Sequence, residues 1–590
     1  MRGLLPIILF LYFLFPGSNP ALCAEVGTGE RGEAPPQTPQ PPQEPQEQAP
    51  KEPTAPAPPV QNPAEITFAI NDYQVEGNSV LPSEKVKEIV SSYLGPQQHM
   101  KDVEQARSAL EKAYRVAGYP TVLVIVPQQT IENGIVRLSV VESKLGEIRI
   151  MGNRFFSNRD ILERLPSLKT DLLIYEPAFL QELNQANSNP DLEITPVLAL
   201  GQRPGTVDLE LKIKDRLPLH ATLELNDRGA PQTPREQLNA SIQYTNLFNR
   251  DQLLTFQTVQ TPQDWGTVQV YGLSYVAPVK TSGRIFALYG AYSHSKSSLN
   301  AGTLAVSQSS IGIPGNSIIA GGRYIFPVDT DPKLSQQISL GIDYKQLNES
   351  KASFPGEIGG SPVGQAIVTS QVNYAPLSFN DTLVYPDSVG TMKISATAKG
   401  YVAGMVPGGS KEDFGGDPSD PINKPGNRAG STGTFLILQG DVERLQDLPM
   451  GSSLSVKADG QWASQPLISA EEYFAGGIDS VRGYLESEAL GDDAFHWTVE
   501  FLSPTFPTIH PNPYKESVQF TAFYDAAYLR TLQPPAGQLE RQQLAGTGFG
   551  IRLKATDYFQ GRVDIARALK DATFTRAGDY FVHFSLKVLF

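Results

Sequence analysis

The stretch with the most distinctive residue types is Phe474-Ala-Gly-Gly-Ile-Asp-Ser-Val-Arg-Gly-Tyr484, in which Val481, Arg482, Gly483 and Tyr484 place one guanidinium beside a glycine and a phenol. Two alternating stretches follow it. In the first, Phe495, Trp497, Val499 and Phe501 share a face and leave Glu500 on the other. In the second, Val518, Phe520, Ala522 and Tyr524 share a face opposite Gln519, Thr521, Phe523 and Asp525. The chemistry open to such residues is charge pairing, since a carboxylate can take a guanidinium through two parallel hydrogen bonds. Catalysis is not indicated. The six histidines stand at no ligand spacing and Cys23 is the only cysteine, so neither a metal nor another cofactor is expected. Gly546-Thr-Gly-Phe-Gly550 lacks the helix and lysine of a phosphate loop and reads as a strand whose glycines leave room on its inner side. No nucleophile is spaced with a base, so the chain is not expected to be an enzyme.

These residues need a scaffold, and the pattern beyond Leu217 supplies one. From 218 to 590, segments of roughly 8 to 12 residues alternate apolar with polar between turn signals, as transmembrane barrel strands do. Leu454, Val456, Ala458 and Trp462 oppose Ser455, Lys457, Asp459 and Gln461, and Phe559, Val563 and Ile565 oppose Gln560, Arg562 and Asp564. About sixteen antiparallel strands are predicted, an even number as single-chain bacterial barrels require. Boundaries between residues 300 and 390 are not fixed by the pattern. Connections after even strands are brief, as at Asn249-Arg-Asp251, whereas 403–431 and 464–493 are long and rich in Gly and Pro. The long ones belong outside the cell. The last segment alternates Tyr580, Val582, Phe584, Leu586, Val588 and Phe590 on one face.

Ahead of the barrel, residues 66–143 and 144–217 form two similar α+β units, each predicted as βααββ. Both open with a strand that runs into Gly-Asn, at Gly77-Asn78 and at Gly152-Asn153, a pair suited to positive φ. In the first unit a helix over 103–116 carries Val103, Ala106, Leu110, Ala113 and Tyr114 on one stripe, with Gly118 and Pro120 ending it and strands at 121–126 and 134–142 following. In the second, helices are predicted over 159–165 and 176–186 and strands over 192–198 and 206–213. Residues 1–24 read as a secretory leader: Arg2, an apolar run from Leu4 to Phe15, and a cut near Ala24. A membrane-anchoring helix is the competing reading, weakened by Pro6, Pro16 and Gly17. Cys23 lies inside the leader, so the mature chain would hold no disulfide. Residues 25–65, dominated by Pro, Gln and Ala, form a linker, too rich in Pro and Gly for a helix. Net charge is −14, without a Lys/Arg cluster interleaved with aromatics, so nucleic acid is not an expected partner.

With these parts in place, Val481-Arg482-Gly483-Tyr484 resembles the sixth-loop signature of the superfamily that joins barrel-assembly proteins with two-partner secretion transporters. Phe523-Tyr-Asp525-Ala-Ala527 is similar to its Phe-x-Asp-x-Gly strand motif, with Ala527 where Gly is usual, which questions the local backbone fit. Two POTRA-like modules before about sixteen strands resemble the transporters of haemolysin and filamentous-haemagglutinin export. The resemblance covers Ile66 to Phe590. It implies an outer-membrane barrel with periplasmic modules, which capture an unfolded, large β-helical exoprotein by strand addition and pass it outward. It implies too that the sixth loop folds into the barrel, where Arg482 would pair with Glu500 and Asp525 as a latch. The competing reading leaves Arg482 in solvent at a loop tip. For capture, the groove would lie between the strand at 121–126 and the helix at 103–116. Further partners implied are outer-membrane lipids, and the barrel assembly machinery through the strand ending in Phe590. An assembly factor and a passive pore are the alternative functions; a simple pore needs neither modules nor tetrad.

Overall fold

A computed structural model describes residues 67–590 apart from 232, 280–282, 296–299, 307–308, 315, 332–333, 349, 354–356, 359–360, 363–364, 418, 421–423, 508–515 and 535–537. The predicted leader and linker lie outside the described residues. The chain divides into two units at Asp215 and Arg216.

The N-terminal unit holds two modules. In the first, β1 (Phe68–Ile70) pairs with β3 (Gly95–Gln98), while β2 (Asp72–Glu76), β4 (Val122–Ile125) and β5 (Ile135–Glu142) form a sheet in the order β2-β5-β4, with β2 parallel to β5. Helices α1 (Ser83–Ser91) and α2 (Met100–Val116) cover one face. The α2 stripe buries Val103, Ala106, Leu110 and Tyr114 against Val124, Val136 and Leu138. The helix starts three residues ahead of the predicted Val103, because Asp102 accepts the His99 amide at 2.7 Å and caps the first turn. Burial, then the adjacent Glu142 carboxylate, push the Tyr114 phenol well above its ordinary value. It therefore stays protonated and donates to Asn78.

The second module repeats the plan with β6 (Lys144–Met151), α3 (Asn158–Arg164), α4 (Glu176–Asn187), β7 (Leu192–Leu200) and β8 (Thr206–Asp215), in the order β6-β8-β7 with β6 parallel to β8. The Gly-Asn repeat has a steric cause. Gly77 has φ +83° and a Cβ there would meet the Val140 carbonyl oxygen at 2.3 Å; Gly152 has φ +95° and would meet that of Ile213 at 2.4 Å. The asparagines do not take positive φ, contrary to the expectation. Each instead ties the turn by its side chain, Asn78 to the Leu81 carbonyl at 2.9 Å and Asn153 to that of Phe156 at 2.8 Å.

The C-terminal unit is a closed antiparallel barrel of sixteen strands among the described residues. They are β9 (Leu219–Asn226), β10 (Gln237–Leu247), β11 (Gln252–Gln260), β12 (Val268–Pro278), β13 (Ile285–Ser295), β14 (Ser317–Asp331), β15 (Leu334–Leu347), β16 (Val372–Tyr374 with Leu377–Asp387), β17 (Gly390–Tyr401), β18 (Phe435–Asp447), β19 (Ser453–Ala463), β20 (Asp493–Leu502), β21 (Ser517–Arg530), β22 (Arg541–Thr556), β23 (Phe559–Ala568) and β24 (Tyr580–Leu589). β24 closes on β9. Strand alternation sorts the side chains as a lipid-facing wall demands: Phe520, Tyr524 and Tyr528 are exposed on the outside of β21, while Phe523, Asp525 and Ala527 are buried inside. Between 300 and 390 two further hairpins, Asn300–Val306 with Ser309–Pro314 and Ser350–Ser353 with Gln365–Thr369, rise from the connections. They alternate with the same period as the wall, which is why the pattern could not divide that region.

Candidate functional site in the barrel lumen

Residues 464–492 join β19 to β20, the eleventh and twelfth barrel strands, so this is the sixth long connection. Its stem is a ribbon of Tyr473–Ala475 with Ala489–Gly491. The tip turns back sharply at Gly476 and Gly477, with φ +109° and +104°. Arg482 is 2% exposed, inside the barrel and not at a solvated tip. Its Nε donates to Asp525 Oδ2 at 2.7 Å and its Nη2 to Asp525 Oδ1 at 2.8 Å, a bidentate fork. Its backbone amide donates to the same carboxylate at 3.1 Å, and Nη1 donates to Glu500 Oε1 at 3.1 Å. The guanidinium carbon sits 3.3 Å over the Phe523 ring, adding a cation–π contact.

Glycines make this fit. A Cβ on Gly546 would stand 1.9 Å from the Arg482 carbonyl oxygen, one on Gly548 2.8 Å from the Phe523 ring, and one on Gly550 1.9 Å from Asp564 Oδ1. The other tetrad residues are equally held. Val481 packs with Ala475, Ala527 and Leu544, so the alanine at 527 fits without displacing the loop. Tyr484 Oη lies 2.9 Å from the carbonyl oxygens of Ala545 and Lys570 and accepts the amides of the same two residues at 3.3 and 3.1 Å. Gly483 has φ +99° and donates its amide to His583 Nε2 at 3.0 Å.

The structure brings in residues that the sequence reading had not assigned. Asp564 lies 3.8 Å from Arg482 Nη1 and takes Arg552 at 2.5 Å and Arg562 at 2.7 Å; Arg552 also reaches Glu500 at 2.9 Å. The alternation that put Glu500 and Asp525 inside already put Arg562 and Asp564 there. Two further clusters grip the outer part of the loop. Glu471 accepts Lys345 at 2.5 Å, Lys399 at 3.0 Å and the Tyr374 hydroxyl at 2.8 Å. Arg428, from the preceding long connection, donates to Glu472, to Asp492 at 2.9 Å and to the Leu467 and Leu532 carbonyls at 3.0 and 2.9 Å. Loop residues carry no periodicity, so no sequence signal marked these pairs. Such buried charges are costly unless each is met by several partners, which is what these clusters provide.

In the first module, β4 has a strand partner on one side, β5; its Val122 and Val124 pack toward α2, while Leu123 and Ile125 are exposed on the opposite face of the sheet. Arg107 of α2 reaches the Val124 carbonyl at 3.5 Å.

A closed sixteen-stranded barrel with its sixth loop turned into the lumen, in a chain that begins with POTRA-type folding units, defines a member of the superfamily of barrel-assembly proteins and two-partner secretion transporters. The ShlB-type POTRA domain family matches residues 68–143, and the haemolysin secretion/activation protein family ShlB/FhaC/HecB matches 205–311 and 410–553. The chain belongs to this haemolysin secretion/activation family. The heme/hemopexin transporter protein HuxB of Haemophilus influenzae (strain 86-028NP) is 21% identical over 521 residues, covering 86% of this chain and 84% of HuxB. The outer membrane transporter CdiB of Dickeya dadantii is 22% identical over 181 residues, 31% of this chain and 32% of CdiB. Among solved structures, CdiB from Escherichia coli superposes with a TM-score of 0.56 at 14% identity, covering 90% of this chain and 92% of its own. BamA from Haemophilus ducreyi lacking POTRA domains 1–3 gives 0.51 at 13% identity, covering 89% and 100%. The protein is thus an outer-membrane transporter that secretes a partner exoprotein, with its POTRA region in the periplasm. Its family is a class of secretion channels and not of enzymes.

Proposed function

We propose that Arg482, Glu500 and Asp525 form a latch that seats loop six in the resting barrel, and that each round of secretion needs the loop both to leave this seat and to return to it. The observation that carries this reading is the two-pronged bond of a nearly inaccessible arginine to Asp525. Residues 66–143 and 144–217 act as the two capture modules behind a leader (1–24) and a linker (25–65). The client, a large β-helical exoprotein still unfolded, adds as a strand to the β4 edge beside α2. Main-chain hydrogen bonds give affinity there, and the exposed Leu123 and Ile125 give an apolar contact. The barrel itself enters the membrane through the assembly machinery, which reads the strand ending in Phe590. Reconstitution in liposomes with a candidate partner exoprotein tests the reading. Passage of cargo into the vesicles supports transport; insertion of unrelated barrels without passage supports assembly instead.

A further inference from the structure

The barrel seam is unevenly made. β24 and β9 pair from Ser585↔Asn226 to Leu589↔Thr222, and the Phe590 and Ala221 amides extend the ladder at one end. At the other end β9 stops, while β24 continues outward to Tyr580. There the ladder thins to one backbone bond, from the Asp227 amide to the Phe584 carbonyl at 3.3 Å, and a side chain supplies the rest. Asp227 Oδ1 accepts the Phe584 amide at 3.0 Å, and Asp227 Oδ2 accepts His583 Nδ1 at 2.9 Å and Arg235 Nη2 at 3.1 Å. The His583 ring faces the lumen and is 2% exposed.

The second ring nitrogen of His583 is the acceptor for the Gly483 amide. A backbone amide can only donate, so Nε2 must carry the lone pair and Nδ1 the proton directed at Asp227. One imidazole thus serves two distant features, the tetrad of loop six and the outer part of the seam.

We propose that His583 is a positioning residue for secretion, making the seating of loop six and the hold of Asp227 on β24 a single hydrogen-bonded unit. When the loop leaves, Nε2 loses its donor, the ring is free to turn, and Asp227 loses one of the bonds that finish the seam. The inference rests on the latch reading and adds where the latch is felt.

The test uses the full chain in cells that produce its exoprotein, and the purified barrel in planar bilayers. His583→Gln keeps an acceptor at the ε position but no donor at the δ position. His583→Asn keeps a δ donor for Asp227 but cannot reach Gly483. His583→Phe keeps neither. The expected result is a resting conductance near native for His583→Gln, and roughly tenfold more frequent open events for His583→Asn and His583→Phe, the change that one lost buried hydrogen bond brings. Seam coupling is read by cross-linking an Asn226→Cys/Ser585→Cys pair. Arg482→Ala should slow that reaction in the native background and change it no further with His583→Asn. Three conductances equal to native, or three equally altered, overturn the inference, since the second pattern marks mere packing. An Arg482→Ala effect on cross-linking that persists undiminished with His583→Asn overturns it as well. Should His583→Phe not reach the membrane, the Gln and Asn variants, each altering one bond, carry the test. Failure of the latch is read separately, as native secretion by Arg482→Ala.

Discussion

Replacing Arg482 with alanine removes three side-chain hydrogen bonds, two to Asp525 and one to Glu500. Asp525 is 0% exposed and would keep, from loop six, the backbone amide of residue 482. Taking one partner from a buried pair costs about 3–5 kcal/mol. The lower end applies here, because Glu500 keeps Arg552 at 2.9 Å. About 3 kcal/mol moves the seated-to-released ratio of the loop by roughly 100-fold, at about 1.4 kcal/mol per tenfold. An exposed pair, worth about 1 kcal/mol at most, would move it only about fivefold. The assay is exoprotein released to the medium, normalised to the heat-modifiable folded barrel in the outer membrane. Secretion should fall by more than about tenfold, since the loop no longer returns to its seat between rounds, while folded barrel stays within about twofold. Arg482→Lys, which keeps charge but loses the planar fork, should fall between. Unchanged secretion by a normally folded Arg482→Ala barrel refutes the latch.

Gly546→Ala leaves every charge in place yet sets a methyl 1.9 Å from the Arg482 carbonyl oxygen, so it should lift the loop and reproduce the Arg482→Ala secretion loss. Secretion at the native level, with folded barrel present, would show that the loop's seat tolerates displacement. Leu123→Asp with Ile125→Asp places charge on the exposed β4 edge, which should weaken capture of the exoprotein by roughly tenfold in pull-down. Being at the surface, these changes should alter module stability by less than about 0.5 kcal/mol in urea unfolding. Native capture would move the client's site away from this edge.

Much of the barrel was legible because its wall has a period of two: each lipid-facing aromatic of β21 names an inward neighbour, and Asp525 follows from Phe520 and Tyr524 alone. The same logic turns His583 inward between Val582 and Phe584, though nothing in the sequence says that Asp227, 356 residues away, is its partner. The α2 start escaped because a cap is one local bond and not a period. Arg428 and Glu471 escaped for a deeper reason. Their partners lie across long connections, where conformation is set by tertiary contacts that no local pattern encodes.

Among its contacts, loop six ties two arcs of the wall: Glu471 to side chains of β15, β16 and β17, and the tetrad to β20, β21, β22 and β24. Ladder bonds in a closed sheet set its circumference, whereas its roundness is free to vary. A chord tied between two arcs sets a diameter. While seated, the loop is therefore a strut against ovalisation; its proposed departure would clear the bore and soften the tube at once, letting the outline follow whatever bulky segment is moving through it.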